Sequence, residues 1–207
     1  MNKNQEPFYS GTVVEFVASA NEYCKYMERA EELEGEELLK ILQRLLPFIY
    51  IKGSLLPELD PYFEEGNEKF VKEEDWNRIY ETLKQKFGTA DAFLEVFDER
   101  MKESEAPVVA SLAENLADIY QDLKDFLILY QTGTNEIMND AIWECRMNFE
   151  NYWGQKLVNS LRAIHRLVYS GEEIGKVPEE ESEKEKMERL EKWIISQKQK
   201  EFRKNRN

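Results

Sequence analysis

The chain has 207 residues, a length that suits one large domain or one domain with an appendage. Charged residues make up 34% of it, and 42 acidic against 28 basic residues give a net charge of −14. Because nucleic-acid binding depends on neutralising phosphates, this charge argues against a nucleic-acid partner for the body of the protein. Only 9 glycines and 6 prolines occur, so a sandwich or barrel with many tight turns is not expected.

The sequence shows no pattern typical of a secreted or membrane protein. Residues 1–10 lack an apolar run, and charged residues and Pro47 interrupt the most apolar stretch, 38–59. Cys24 and Cys145 are far apart and lack the spacing of a metal site or a disulfide framework. We therefore expect a cytoplasmic protein that does not associate with a membrane.

Apolar residues recur at helical spacing through the first half of the chain. The first helix is predicted to begin near Thr12, whose hydroxyl would form a capping box with Glu15. In the second helix, Pro47 predicts a kink or a restart, because proline removes a backbone donor. This second helix is predicted at residues 36–53. A loop at 60–72 and two short helices at 73–87 and 89–97 are predicted to follow it.

The clearest helical signals lie between residues 111 and 171. Ser111 begins a capping-box pattern directly before an apolar seam, and Gly133 is predicted to end that helix. Thr134 is predicted to cap a final helix that ends before Gly171 and either runs unbroken to Tyr169 or bends at Gly154, which would also allow a close helix approach. Strand patterns are nearly absent. The predicted fold class is all-α, a single helical bundle of about five to seven helices.

Two parts are predicted, an acidic helical bundle domain at residues 8–171 and a charged tail at 172–207. The tail holds ten acidic and ten basic residues, so all of the net negative charge lies before it. It is expected to be either disordered or an amphipathic helix at 183–203. In the second case, Trp193 and Ile194 would anchor it on the body or on a partner.

Glu114, Asp118 and Asp122 lie on one flank of their predicted helix. Carboxylates on one face can hold Mg²⁺ or Mn²⁺, which prefer oxygen ligands, or they can form ion pairs. If the two long helices fold back at Gly133, Arg146 lies opposite Asp118 and Asp122 and can bridge both. We predict this salt bridge, so that loss of Arg146 would strongly destabilise the fold. The metal site is the alternative.

His165 is the only histidine and lies near the end of the last predicted helix. The favoured interpretation is a helix-terminal residue that suits the helix dipole. The alternative is a general base, although Ser160 lies on a different face and no nucleophile can be paired with it. The aromatic cluster that includes Trp143 and Trp153 is interpreted as core packing, at a close helix approach that Gly154 permits. The alternative interpretation is a pocket for a ligand or a partner. The common nucleotide, zinc and hydrolase motifs do not occur.

Three segments resemble the motifs of an uncharacterised bacterial all-helical family, one of the domains of unknown function. They are Leu-Ala-Asp-Ile-Tyr-Gln-Asp-Leu at 116–123, Trp-Gly at 153–154 and Leu-Arg-Ala-Ile-His at 161–165. Tyr152 stands where that family usually has a histidine. The resemblance covers about residues 10–169 and implies a helical fold, but it brings no established activity, cofactor or partner.

A shorter segment, Glu114–Tyr120, is similar to part of the all-helical magnesium-dependent nucleotide pyrophosphatases. Asn115 stands where that family has a glutamate. We predict a non-catalytic protein that acts by binding a protein partner or supporting an assembly, with no cofactor. The alternative is a magnesium- or manganese-dependent hydrolase of a phosphorylated small molecule that uses Glu114, Asp118 and Asp122.

Overall fold

The structure, a computed structural model, describes residues 7–63, 66–95, 108–171 and 174–175. In these residues the chain forms six α-helices and a small sheet of two strands, so the all-α fold is confirmed. The tail from residue 176 onward lies outside the described residues, and with it the helix predicted at 183–203 and its anchors Trp193 and Ile194. In chain order the helices and strands are α1 (Gly11–Glu28), α2 (Gly35–Gly53), α3 (Glu73–Phe87), β1 (Ala92–Leu94), β2 (Val109–Ser111), α4 (Leu112–Thr132), α5 (Asn135–Asn148) and α6 (Gly154–Ser170).

Helix α4 lies at the centre of the bundle and packs against α1, α3, α5 and α6. The ring of Phe16 on α1 lies 5.2 Å from that of Phe126 on α4 and stacks at 6.3 Å on Trp153. The buried hydroxyl of Tyr23 donates to the carbonyl oxygen of Leu116 at 2.8 Å. Because each such aromatic side chain buries a large apolar area, this centre supplies much of the driving force for folding. In the part of the chain described, no helix is long and apolar enough to cross a membrane.

Hydroxyl side chains cap three of the helices. The residue that caps α1 is Ser10 and not Thr12. A 3₁₀ turn at Pro7–Tyr9 precedes Ser10, which has an extended conformation. In this conformation the Ser10 Oγ accepts a hydrogen bond from the Val13 amide at 3.4 Å. Ser111 and Thr134 cap α4 and α5 as predicted. Each accepts a hydrogen bond from the amide three residues further along. These bonds satisfy amides that have no partner within the helix.

Helix α2 continues through Pro47 to Gly53 without the restart that proline predicted. Leu46 and Ile49, on either side of the proline, are fully buried. Their burial against the rest of the bundle offsets the backbone hydrogen bond that Pro47 cannot make.

The helix predicted at 89–97 is wrong. Gly88–Asp91 forms a 3₁₀ turn, and strand β1 follows it. The cause is a contact distant in sequence: the buried carboxylate of Asp91 accepts hydrogen bonds from the Ser111 hydroxyl and the Ala113 amide, both at 2.7 Å. Asp91 thereby ties this segment to the start of α4, and the chain leaves it in an extended conformation.

The last predicted helix does not run unbroken, and its interruption lies directly before Gly154, where a bend was the alternative. Between α5 and α6, Phe149–Trp153 forms a turn of π-helix, in which the Gly154 amide donates to the carbonyl oxygen of Phe149. A Cβ on Gly154 would collide with that oxygen. The turn holds the indole of Trp153 fully buried, with Nε1 donating to the Cys145 carbonyl oxygen at 3.2 Å. Because a π turn contains one extra residue, the side chains of α6 are rotated about the helix axis relative to those of α5.

Candidate functional site

Asp118 is the centre of a polar cluster between α3, α4 and α6. Its Oδ1 accepts from the indole Nε1 of Trp76 at 2.8 Å. Its Oδ2 accepts from the Tyr152 hydroxyl and pairs with Lys156 Nζ, each at 2.8 Å. Lys156 also donates to the Asn115 side-chain oxygen at 3.2 Å and lies 5.0 Å from the centre of the Tyr152 ring. Both oxygens of Asp118 are thus engaged by donors from neighbouring elements.

Asp122, one turn further along α4, has a different environment. Its Oδ1 accepts from the Asn148 amide group at 2.8 Å. Burial raises the pKa of Asp122 to about 6, although the Asn148 hydrogen bond and the charge of Lys69 act in the opposite direction. The negative charges of Asp125 and Glu144 add to the increase. This carboxylate is therefore costly to ionise in the folded protein.

The predicted bridge from Arg146 to Asp118 and Asp122 is wrong. Arg146 instead donates to the Leu56 carbonyl oxygen and pairs with Glu58 at 2.8 Å and Glu150 at 3.0 Å. The α5–α6 residues that face Asp118 and Asp122 lie about one helical turn further along the chain than the simple fold-back predicted. Arg146 is thereby directed away from α4 and towards the segment that follows α2.

Two further carboxylates hold the connection between α2 and α3. Asp140 accepts from the backbone amides of Tyr62 and Phe63, at 2.7 and 2.8 Å. Asp125 accepts from the amides of Phe70 and Val71, at 2.8 and 2.9 Å, through a single oxygen. Both carboxylates are almost fully buried. Part of the acidity of the body therefore serves to pair backbone donors that would otherwise be unsatisfied.

The metal alternative relied on Glu114, Asp118 and Asp122. Glu114 is exposed, whereas Asp118 and Asp122 are largely buried and accept hydrogen bonds from different partners. Within the residues that the structure describes, no group of three or more His, Cys, Asp or Glu side chains is arranged to hold a metal ion.

The two tryptophans of the aromatic motif occupy different places. Trp153 is in the core, where its ring lies 4.8 Å from that of Phe149. Trp143 is half-buried and lines a shallow cleft with Arg146 and Glu58. The two residues therefore do not form one aromatic pocket.

The two buried thiols, the buried Ser160 hydroxyl and the exposed Tyr152 hydroxyl are poorly suited to nucleophilic chemistry. Burial raises the pKa of Cys24 and of Cys145 well above the usual thiol range. Burial, followed by the hydrogen bond to Asp118, also raises the pKa of the Tyr152 hydroxyl. Ser160 is fully buried and its hydroxyl has no hydrogen-bond partner among the described residues.

His165 is exposed on α6, where its ring lies 4.8 Å from that of Tyr169. It faces a groove of about 630 Å³ between α6 and the two-stranded ribbon β1–β2, here called the ribbon groove. The main lining side chains are Phe93, Leu94 and Val109 from the ribbon and Arg162, His165 and Arg166 from α6. Of the described residues that line the groove, none is acidic.

The ribbon is attached to the bundle at both ends of β1. At its start, Asp91 accepts from Ser111 and from the first turn of α4. Beyond its end, the Asn159 side chain on α6 donates to Glu95, and the Glu95 amide donates to the Val108 carbonyl oxygen at 2.8 Å. These contacts hold the ribbon at a set position over α6, so the groove is preformed.

The exposed side chains at the groove are unusually apolar. Leu94 and Val109 are cross-strand partners, so their side chains lie on the same face of the ribbon. They are 56% and 65% exposed, and Tyr169 nearby is 70% exposed. Sequence reasoning missed this surface because β1 was assigned to a helix. The available signal was the spacing of Arg162, His165 and Arg166, which puts three cationic or titratable side chains on one helix face.

The sequence matches a family model over residues 8–170, and that model is described as a domain of unknown function, DUF5063. A similar solved structure is the crystal structure of protein BF1032 from Bacteroides fragilis, with a TM-score of 0.71 and 35% sequence identity. The match covers 80% of this chain and 98% of that one. No curated protein matches the chain.

Proposed function

We propose that this chain, which belongs to the DUF5063 family of domains of unknown function, acts by binding another protein through the ribbon groove. The observation that carries the proposal is the paired, solvent-exposed Leu94 and Val109 beside a preformed groove. Exposed apolar side chains that adjoin one another and are rimmed by polar groups are typical of interaction surfaces.

The chemistry elsewhere supports binding over catalysis. Asp118 and Asp122 were, with Glu114, the residues of the hydrolase alternative. Three donors already occupy the oxygens of Asp118. Asp122 has a raised pKa and a hydrogen bond from Asn148, and it faces the helix interface. These arrangements are typical of carboxylates that join secondary-structure elements.

The test is affinity capture from cells with the full-length chain and two matched double variants. Leu94→Ser with Val109→Ser changes the groove, and Leu55→Ser with Val14→Ser makes the same chemical change at exposed positions on α1 and after α2. We expect a specific protein to be recovered with the wild type and the control variant, and to be lost with the groove variant. Circular dichroism checks that both variants are folded.

The captured protein is then purified and titrated against each variant. A dissociation constant that rises about tenfold or more only for the groove variant supports the proposal. Equal binding to the groove variant, or equal loss with the control variant, contradicts it.

A further inference from the structure

We infer that a second groove, at the other end of α4 from the ribbon groove, binds a basic segment of a partner protein through an arginine side chain. This groove, here called the aromatic groove, has a volume of about 570 Å³. Its main lining side chains are Tyr62, Phe63, Asn67 and Glu68 from the α2–α3 connection, Leu129 from α4 and Ile137 from α5.

The inference goes beyond the proposed function and does not depend on it, because the two grooves are separate surfaces. Strand β2 leads directly into Leu112, the first residue of α4. Leu129, which lines the aromatic groove, lies about 25 Å further along that helix. A variant in one groove therefore leaves the side chains of the other in place.

The first step is the fixed position of two aromatic rings. Tyr62 and Phe63 are both more than half exposed, yet their amides donate to the buried carboxylate of Asp140. Further along the connection, the Asn67 side chain donates to the Asp140 carbonyl oxygen and to Glu144, each at 3.0 Å. Because these bonds tie the connection to α5, a partner meets rings whose backbone is already ordered, which lowers the entropic cost of binding.

The second step is the charge of the groove. Glu68, the charged residue among the described lining residues, is exposed and has no ion pair with another described residue. Glu136, beside Ile137, is also exposed, whereas Lys69 pairs with Glu144 at 2.8 Å. Residues 64–65 lie outside the described residues, but both are glutamates, so the sign of the charge does not depend on where they lie.

The third step is the combination of rings, carboxylate and apolar floor. The whole chain has a net charge of −14, so charge alone would attract a basic segment to many places. An arginine is favoured at this place because its guanidinium stacks on aromatic rings and binds a carboxylate such as Glu68 with two hydrogen bonds. Its aliphatic stem can pack against Leu129 and Ile137. An apolar partner segment would leave Glu68 without a counter-charge.

The experiment uses the full-length chain and three labelled synthetic peptides. The first has two arginines that flank a leucine, within a frame of glycine and serine. In the second, citrulline replaces both arginines, which keeps the shape of the side chain and removes its charge, and in the third lysine replaces them. Fluorescence anisotropy is measured at low and at physiological salt. We expect saturable binding of the arginine peptide that weakens with salt, binding of the citrulline peptide that is about tenfold weaker or less, and an intermediate affinity for the lysine peptide.

Matched variants locate the binding. Phe63→Ser and Glu68→Lys are each expected to weaken binding of the arginine peptide about fivefold or more. Phe48→Ser removes a ring that is 48% exposed on α2, against 52% for Phe63, and Glu22→Lys makes the same charge change at an exposed position of α1. Both controls should leave the affinity within about twofold, because distant exposed charges are screened by salt. Circular dichroism checks the fold, and Phe63→Leu serves if Phe63→Ser does not fold.

Three results would overturn the inference: equal binding of the arginine and citrulline peptides, no binding of the arginine peptide up to millimolar concentration, or an equal loss of affinity in a control variant and its counterpart in the groove. If free arginine binds as tightly as the peptide, the groove is a site for a small cation, and the protein partner is overturned. None of these results involves Leu94 or Val109, so the proposed function is decided by its own test.

Discussion

Gly53 of α2 lies directly against the indole of Trp153: a Cβ on Gly53 would be 3.0 Å from Cη2 of that ring. The ring of Phe149 would be 3.2 Å away. Gly154, next to Trp153 in the chain, lies against the Phe149 carbonyl oxygen and the Phe149 ring. Two glycines distant in sequence thus permit the π turn and the approach of α2 to it. A methyl group at Gly154 would collide with a backbone oxygen, whereas a methyl group at Gly53 would require the two rings to shift.

Replacing Gly154 by alanine should therefore destabilise the protein. The added Cβ meets a backbone oxygen that cannot move without opening the π turn, so we expect a loss of about 2–4 kcal/mol in the free energy of unfolding. Gly53→Ala should cost less, about 1–2 kcal/mol, since two rings can shift. Urea denaturation of the full chain measures both. Gly11→Ala is the control, because no atom lies within 4 Å of its Cβ position. A Gly154→Ala protein as stable as the control would contradict this account.

Lys156 should matter more to stability than Arg146. Lys156 pairs with a largely buried Asp118, while the partners of Arg146, Glu58 and Glu150, are exposed. We expect Lys156→Met to cost about 2–4 kcal/mol, because it leaves a carboxylate buried with neutral donors only. Arg146→Met should cost about 1 kcal/mol or less from its exposed ion pairs. Thermal unfolding of the two variants side by side measures the two losses, and a larger loss for Arg146→Met than for Lys156→Met would contradict this account.

The sequence was informative wherever a helix end depends on its own residues. The bounds of α3 match the predicted 73–87, and Ser111, Gly133 and Thr134 mark helix ends as expected. Each of these features is local: a hydroxyl that caps the next turn, or a glycine that adopts positive φ, as Gly133 does at 90°.

What the sequence could not give is the relative position of elements. The side chain that meets Asp118 depends on the turn at Gly133 and on the extra residue of the π turn. A shift of between one and two turns brings Tyr152 to Asp118 in place of Arg146. The strand β1 depends on Asp91, whose partners lie twenty or more residues away in sequence. The ribbon groove follows from both, so the spacing of Arg162, His165 and Arg166 marked one helix face but could not show what lies opposite it.

The two buried carboxylates that hold the α2–α3 connection should respond differently to amide replacement. Both oxygens of Asp140 accept from backbone amides, so Asp140→Asn places an NH₂ group against a donor and should cost about 1–3 kcal/mol. Asp125 accepts both of its backbone bonds through one oxygen. Burial also raises the Asp125 pKa, so Asp125→Asn should cost at most about 1 kcal/mol. Denaturant titration gives the energies, and faster hydrogen exchange at Tyr62 and Phe63 in Asp140→Asn alone would locate the effect.

Asp122 should make stability depend on pH between about 4 and 6. Its pKa is about 6 in the folded protein, above its usual value of 3.8, so the folded state binds the proton more tightly than the unfolded state. The free energy of unfolding therefore falls as the pH rises through this range. Asp122→Asn keeps an oxygen for Asn148 and removes the charge.

We expect the melting temperatures of the Asp122→Asn variant and the wild type to be close at pH 4 and to separate as the pH rises. Above pH 6 the variant should be more stable by about 1–3 kcal/mol, which corresponds to about 3–10 °C for a protein of this size. Asp118→Asn is the contrasting variant, since it loses an ion pair with Lys156 and should melt below the wild type at pH 7. If the melting temperature of Asp122→Asn also lies below that of the wild type at pH 7, a raised pKa of Asp122 is contradicted.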